Sequence, residues 1–200
     1  MSRIIGLRDL YMCELTADNG SVAPTYGPAK KIPSIISMDI QDNNESITFY
    51  SDDVAEQVIQ AFTGKEITLE LGYLSNELEA AITGNEYDAE TGVFSQSANA
   101  NAPEIALMFR APKSKGNNFQ YVVLYKGVLA REGANYKTKE ESTESQNISL
   151  KGVFMPLAYN GKVSAKVDTE DCRTPAIITN WFTKPYIKEP AALSLSEKSK

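Results

Sequence analysis

The stretch Glu66-Ile-Thr-Leu-Glu-Leu-Gly-Tyr-Leu-Ser-Asn-Glu-Leu-Glu-Ala-Ala-Ile-Thr-Gly84 changes its hydrophobic period halfway along. In its first part Ile67, Leu69 and Leu71 alternate with polar residues, which predicts a half-buried β-strand. In its second part the apolar residues recur at helical spacing, which predicts an α-helix over about residues 75–83. The sequence therefore predicts a strand followed by the principal helix of the protein, packed over a β core.

The ends of this helix carry the residues that helix termini favour. Ser75 can accept a hydrogen bond from the first free backbone N–H groups, and Glu77 and Glu79 lie near the positive end of the helix dipole. Gly84 can adopt the left-handed conformation that ends a helix. The apolar stripe is predicted to face the core and consists of Leu74, Leu78, Ala81 and Ile82.

Length and composition indicate one domain. A chain of 200 residues with 42% hydrophobic residues can bury a sizeable core, and no low-complexity stretch divides it. We expect a single domain over residues 1–182. The C-terminal tail, residues 183–200, is rich in Ser, Lys and Pro, and is expected to be mobile or bound to a partner.

The charge balance and the hydropathy exclude several kinds of partner. A net charge of −6 argues against a nucleic-acid-binding or anionic-membrane surface. No apolar run approaches the ~18 residues of a membrane span, and the N-terminus has no signal-peptide core, so a cytoplasmic origin is expected. Cys13 and Cys172 show no metal or redox spacing and are expected to be free thiols.

The chain contains no histidine, which removes the commonest general base and the commonest transition-metal ligand. No glycine-rich phosphate loop precedes a helix. Residues 42–45 and 88–92 come nearest to a calcium loop, but both lack the set of ligands and are interpreted as acidic turns. No catalytic, cofactor or metal site is therefore predicted, and an enzyme is the least favoured class of protein.

Alternating apolar residues predict a mainly β protein with three hairpins. The predicted hairpins pair residues 34–41 with 45–50, residues 105–111 with 119–130, and residues 147–159 with 162–167 around an Asn-Gly turn. A further strand is predicted over residues 10–16. The last apolar segment is residues 175–182, which contains the single tryptophan.

The connecting segments are long. Residues 52–63 are predicted as a short helix capped by Asp52 or Asp53, although their β-branched residues could also form a strand. Residues 18–33 and 85–103 are predicted as loops, the second with at most a short strand at Val93-Phe94. Residues 137–145 are interpreted as a solvated strand or loop, or as an exposed interaction edge.

A series of short motifs runs through nearly the whole chain. In order they are Gly6-Leu7-Arg8-Asp9-Leu10-Tyr11, Tyr26-Gly27, Lys31-Ile32-Pro33, Tyr50-Ser51-Asp52-Asp53, Leu69-Glu70-Leu71, the predicted helix from Leu78 to Gly84, Gly92-Val93, Leu107 to Arg110, Tyr125-Lys126-Gly127 and Trp181-Phe182. Each motif alone consists of ordinary strand and turn residues. Together, over residues 5–182, they resemble the phi13-type major tail proteins of bacteriophages with long, non-contractile tails.

The resemblance implies a β-sandwich or barrel-like tail tube fold with one flanking helix and long loops. It implies a structural protein of the virion tail, without catalytic residues or cofactors, that is assembled in the host cytoplasm. Six copies would form a ring, and rings would stack into a tube with other tail proteins at its ends. Viral DNA would pass through the lumen without specific binding.

A carbohydrate-binding β-sandwich is the alternative. The chain contains ten tyrosines and one tryptophan, and aromatic rings stack on the faces of sugars. In this alternative Tyr121 and Tyr125, on one face of a predicted strand, would form the platform. Rings or filaments of the purified protein favour a tube, whereas a monomer retained on polysaccharide favours the binding module.

A DNA-conducting lumen should be negative, because DNA that slides must not adhere to the wall. The polar faces of alternating strands are the natural wall, and our candidates for it are Asp39, Gln41, Thr68 and Glu70. Alternatively, these residues lie under the rim of the helix or on the outside. The segments expected to join subunits are residues 18–33, 85–103 and 183–200, since each is long and irregular.

Overall fold

The computed structural model describes residues 2–51, 54–133 and 147–188, and for residues 45–51 and 54–61 it describes the backbone alone. The prediction of a mainly β protein is confirmed. The strands are β1 (Arg8–Ala17), β2 (Thr25–Tyr26), β3 (Lys30–Ile32), β4 (Ile35–Ser51), β5 (Val54–Leu71), β6 (Glu86–Tyr87), β7 (Phe94–Ser95), β8 (Ile105–Pro112), β9 (Phe119–Arg131), β10 (Ile148–Phe154) and β11 (Ser164–Asp168). The helices are α1 (Asn76–Thr83) and α2 (Pro175–Thr179).

Nine of these strands form one antiparallel sheet. Its order is β2-β1-β8-β9-β10-β5-β4, with β3 also paired to β1 and β11 also paired to β9. The remaining two strands, β6 and β7, form a separate ribbon within the long excursion after α1. The predicted hairpin of β8 and β9 is confirmed.

Strand β9 holds the sheet together because it has three partners. On one edge it pairs with β8. On the other edge its first half pairs with β11, up to Leu124 opposite Ser164, and its second half pairs with β10, from Gly127 opposite Phe154. Strands β10 and β11 therefore follow one another along the same edge of β9.

The two faces of the sheet pack against different clusters. The first core contains the helix stripe and the inner residues of β5, β8 and β10; its fully buried side chains include Leu10, Ile32, Ile67, Leu69, Leu71, Ile82, Ile105, Leu107, Leu129, Leu150 and Phe154. The second core is aromatic and consists of Cys13, Met108, Tyr121, Val123, Tyr125, Leu157 and Trp181. Alternation along β9 supplies both clusters, since Leu124 belongs to the first and Tyr125 to the second.

The sheet curls around the first core. Strand β3 pairs with β1 and leads within two residues into β4, the last strand in the pairing order. Met38 and Ile40 of β4 pack against the same core as Leu7, which directly precedes β1 near the other end of the pairing order. The result is a barrel-like wall that is joined where β3 passes into β4.

Helix α1 has the caps that its sequence predicts. The Leu78 N–H donates to Ser75 Oγ at 3.3 Å, and the left-handed Gly84 (φ 72°) donates its N–H to the Ala80 carbonyl. The helix covers one end of the first core. Of the predicted apolar stripe, Leu74 and Ile82 are buried, while Leu78 and Ala81 are partly buried against the core.

The predicted hairpin of residues 34–41 with 45–50 is wrong. Strand β4 continues through residues 42–44 and pairs along its whole length with β5. Asn43 and Asn44 do not turn the chain but remain paired in β4. Opposite them β5 carries one extra residue, Thr63, in a bulge at which the register shifts. The predicted helix over residues 52–63 is also wrong, because residues 54–63 belong to β5; Asp52 and Asp53 lie outside the described residues.

The hairpin predicted around Asn160-Gly161 is wrong in its pairing. The chain does turn there, with the Leu157 N–H donating to the Lys162 carbonyl at 3.1 Å. However, β10 and β11 both pair with β9 rather than with each other. Strand β9 is long enough to pair with both β10 and β11, and this pairing is preferred over the local hairpin. Pairing between strands that are distant in sequence cannot be predicted from a local sequence pattern.

The connecting segments differ in how far the structure describes them. Residues 18–33 contain β2 and β3, and residues 85–103 contain the β6–β7 ribbon. Residues 137–145 lie outside the described residues. Cys13 and Cys172 are free thiols. Within the described ranges no helix has the length and apolar character that crossing a membrane requires.

Candidate functional site: an acidic strand face

The outer face of β4, β5 and β10 is polar because the inner face of the same strands forms the first core. Met38 and Ile67 point towards that core, so the side chains that alternate with them point away from it. Along β10 the same alternation buries Leu150 and exposes Lys151. These strands thus separate an apolar inside from a polar outside.

The register brings the four candidate wall residues onto this outer face. Asp39 lies opposite Thr68, and Glu70 lies on the same side of β5 as Thr68. Gln41 donates from Nε2 to Asp39 Oδ2 at 2.8 Å, next to it on the same side of β4. Asp39 and Gln41 are exposed, whereas Thr68 and Glu70 are half-buried.

Three further charged residues lie on this face that the sequence analysis did not predict to be there. Glu66 lies opposite Gln41 on β5, Lys151 lies opposite Thr68 on β10, and Glu132 follows the end of β9. The alternation of β10 was visible in the sequence. The sheet order, which places β10 between β5 and β9, was not, so no face could be assigned to its side chains.

Lys151 is paired with an acid on the neighbouring strand. Its Nζ lies 2.6 Å from Glu132 Oε1, while Ser149 Oγ donates to Glu132 Oε2 at 2.8 Å. The hydrogen bond from Lys151, followed by the one from Ser149, lowers the pKa of Glu132 below its usual value. The same bond raises the pKa of Lys151. Both groups are thus charged at neutral pH, and the ammonium is held by a carboxylate.

The face carries a net negative charge. Among the described side chains it holds four carboxylates, from Asp39, Glu66, Glu70 and Glu132, against the single ammonium of Lys151, a net charge of −3. No group of three or more potential metal ligands occurs in the described part of the chain. The arrangement can repel anions and bind cations loosely.

The tyrosines of the carbohydrate-binding alternative are buried. Tyr121 and Tyr125 are 7% and 1% exposed, respectively, and the ring centroid of Tyr121 lies 5.9 Å from that of Trp181. Tyr125 donates its hydroxyl to the Tyr186 carbonyl at 2.8 Å, and burial raises its pKa to about 12. These rings form the second core, so the platform expected for a sugar is absent and that prediction is wrong.

The acidic face ends at a free strand edge. In the described sheet β4 is the last strand, and its outer backbone groups have no strand partner. Beyond the pair Lys65 and Phe154, where β10 ends, β5 is paired only with β4. We call residues 44–51 and 54–63, which form this two-stranded extension, the arm.

Comparison with known proteins matches the part of the chain that contains these strands. The model of a family described as phage tail tube protein matches residues 35–171, which extend from β4 to β11. A search of the curated proteins finds no match. The matched region covers more than half of the chain and includes the acidic face, the arm and α1. The chain belongs to the phage tail tube protein family.

Proposed function

We propose that this protein is the major tail tube subunit of a phage with a long, non-contractile tail. Six copies form a ring, rings stack into a tube, and the lumen conducts the viral DNA. The observation that carries the proposal is the acidic face: one side of three adjacent strands bears Asp39, Glu66 and Glu70, and the described part of the sheet ends there at an unpaired edge.

The acidic face suits the inner wall of such a tube. At physiological salt the field of a charge decays over about 8 Å, so only charges on the wall itself act on DNA in the lumen. Carboxylates there repel phosphates and prevent the release of counterions that makes DNA binding tight. Lys151, the one cation on the described face, is paired with Glu132 and is therefore a poor anchor for phosphate.

The edge of β4 suits the joint between neighbouring subunits. A strand edge presents backbone N–H and C=O groups that a second copy can pair with, and pairing of this kind extends a sheet from one subunit into the next. The arm suits contacts between rings, because it extends past the end of β10 and is not covered by a third strand of the described sheet. The same surfaces would meet other tail proteins at the two ends of the tube.

A charge reversal on the acidic face tests the proposal. We expect phage carrying Asp39→Lys with Glu70→Lys to assemble tails of normal length and to eject DNA more slowly, since twelve lysines per ring would attract phosphate. The control variant, Glu77→Lys with Glu90→Lys, makes the same change in charge at exposed positions outside the face. Its ejection should equal that of the wild type.

Two results would contradict the proposal. Unchanged ejection from particles shown to carry the Asp39 and Glu70 substitutions would remove this face from the lumen. Negative-stain micrographs of the purified, concentrated protein should show rings or tubes with sixfold symmetry; a protein that stays monomeric at every concentration and is missing from purified tails would remove the tube itself.

A further inference from the structure

An open apolar groove of about 750 Å³ lies between β4 and β11. Phe109 of β8, together with Val122 and Leu124 of β9, forms its floor. Ile36, Met38 and Ile40 of β4 form one wall, and Ser164, Ala165 and Lys166 of β11 form the other. The groove thus continues the first core outwards to solvent.

Both long sides of the groove offer unpaired backbone. In the described sheet β4 has no partner beyond β5, and β11 has no partner beyond β9. Ile36 is 52% exposed at the mouth of the groove, so a large aliphatic side chain lies next to the free edge of β4. An apolar floor between two free edges fits an extended peptide whose alternate side chains are apolar.

The described C-terminal segment packs against β9 and β11 on the face of the sheet opposite to the groove. Trp181 donates its indole N–H to the Val122 carbonyl at 3.4 Å, while the Val122 side chain lines the groove. Ala165 likewise contacts the second core and lines the groove. Tyr186 and Ile187 pack against the second core, so the chain reaches Lys188 one strand layer away from the groove.

The residues that follow have the pattern and the length to reach the groove. After Pro190 the sequence reads Ala-Ala-Leu-Ser-Leu-Ser, in which Leu193 and Leu195 alternate with serines, as in a strand with one apolar face. Twelve extended residues span up to about 40 Å. Passing around the edge formed by β11 requires a span on the order of 10 Å, about one layer thickness.

We propose that residues 189–200 of the same chain occupy this groove in the unassembled subunit. Leu193 and Leu195 lie on the apolar floor, and the backbone between them pairs with the free edge of β4. The proposal goes beyond the tube function, because it concerns the subunit before any ring forms and is tested on the isolated protein.

Two reasons favour the same-chain segment as the occupant of the groove. A tethered segment has an effective concentration on the order of millimolar, which a second copy in dilute solution does not reach. A free edge beside exposed apolar side chains is also a site for unwanted pairing, and proteins commonly cover such edges. Covering β4 would keep subunits apart until a growing tube displaces the segment.

Disulfide trapping tests the occupant directly. In the full-length chain with Cys172→Ser, the pair Ile36→Cys and Leu195→Cys should form an intramolecular disulfide at a rate independent of protein concentration. The control pair, Val153→Cys with Leu195→Cys, places the first thiol on the exposed outer side of β10 and should react at least about tenfold more slowly, because no docking holds the thiols together.

Hydrogen exchange provides a second measurement on the intact chain. In the variant Leu193→Asp with Leu195→Asp, the amides of residues 36–42 that point to the free edge should exchange at least about tenfold faster than in the wild type. Ser194→Asp with Ser196→Asp adds the same charge on the alternate side and should leave exchange unchanged. Unaltered protection in β8 and β9 confirms that each variant is folded.

The outcomes separate the possible occupants. Disulfides that appear only between molecules, at a rate rising with concentration, would replace the same-chain segment by that of a second copy and overturn the proposal. Equal trapping at positions 36 and 153, or equal exchange in both aspartate variants, would overturn it as well. None of these results bears on whether the acidic face lines a tube.

Discussion

The two halves of the long β4–β5 hairpin are built from the same two strands but stand in different surroundings. In the body half, residues 65–71 of β5 lie between β4 and β10 and cover the first core. In the arm, residues 54–63 of β5 pair with β4 alone. In the described sheet β5 is thus paired on both edges in the body half, whereas in the arm each of the two strands has one open edge.

This difference separates stability from assembly. A two-stranded ribbon is at best marginally stable in water, whereas three strands over an apolar core can be stable on their own. We therefore expect substitutions in and around the body half to change the free energy of unfolding. Changes in the arm should alter assembly and leave the fold of the subunit intact.

The largest loss of stability is expected from Gly152→Val. Gly152 lies in β10 between β5 and β9, and a Cβ atom there would lie 2.3 Å from the Val128 carbonyl oxygen. The neighbouring backbone is fixed on both sides, so we expect a loss of about 3 kcal/mol or more in the free energy of unfolding. Urea denaturation measures it.

The control for this substitution is Gly133→Ala. A Cβ atom at Gly133 would meet nothing within 4 Å. The control should stay within about 0.5 kcal/mol of the wild type. If Gly152→Val were equally harmless, β10 would not be clamped between β5 and β9, and the body half would lose its third strand.

A smaller loss is expected from Glu79→Ala, which breaks the contact that holds α1 onto β9. Arg131 Nη1 lies 2.6 and 2.8 Å from the two carboxylate oxygens of the buried Glu79. Since the Arg131 side chain remains partly exposed, water can compensate in part, and we expect a loss of about 2 kcal/mol. Glu77→Ala, at an exposed position of the same helix, should change little.

The third prediction concerns acid. Burial raises the pKa of Asp18, but hydrogen bonds from the amides of Ala158 and Tyr159 and from Lys126 outweigh it, so that the net pKa is lower than the usual 3.8. The stabilisation from Asp18 is therefore complete at neutral pH and is lost as the pH falls below 3.8 through the lowered pKa.

The variant Asp18→Asn tests this assignment. At pH 7 it should be less stable than the wild type by about 1 to 2 kcal/mol, because the contact with Lys126 loses its charge. As the pH falls below 3.8 and through the lowered pKa, the melting temperatures of the two proteins should approach each other, because Asp18 becomes protonated first in the unfolded and then in the folded wild type. A difference that stays constant from pH 7 to pH 3 would contradict the lowered pKa.

The smallest effect on stability is expected from removing most of the arm. Replacing residues 47–59 with Asn-Gly joins Ser46 to Gln60, which lie opposite each other in the ladder, by a two-residue turn. The melting temperature should shift by no more than about 3 °C, the equivalent of roughly 1 kcal/mol for a domain of this size. Tube formation should be lost in negative-stain micrographs. A variant that unfolds, or one that still forms tubes, would contradict the inference that the body half determines stability and the arm determines assembly.

The sequence predicted the elements whose determinants are local. Helix α1 was predictable because Ser75, its apolar stripe and Gly84 all lie within ten residues of one another. The β8–β9 hairpin was predictable because its alternation is long and its connection is short. The four candidate wall residues were placed on one side of two strands by alternation alone, and the structure does bring them together.

The remaining features depend on contacts between distant parts of the chain. Asn43 and Asn44 are turn-forming residues, but here they continue β4 because β5 supplies partners for them and for the residues that follow. The extra residue of the bulge, Thr63, lies on β5. The sequence predicts that Glu79 interacts with the helix dipole, yet the side chain is buried against Arg131, which is 52 residues away. Lys151 and Glu132 form an ion pair because β10 pairs with β9, and no local sequence pattern predicts that pairing.

The continuity of β5 also determines how the subunit carries mechanical load. A pull along the arm passes directly into the body half, where seven registered residue pairs, from Leu71 with Ile148 to Lys65 with Phe154, join β5 to β10. These pairs share a force along the strand, and slippage by one residue would turn every core side chain outwards. The joint is therefore stiff in tension. Sideways bending is instead expected at the bulge at Thr63, opposite Asn43 and Asn44, just beyond the end of β10.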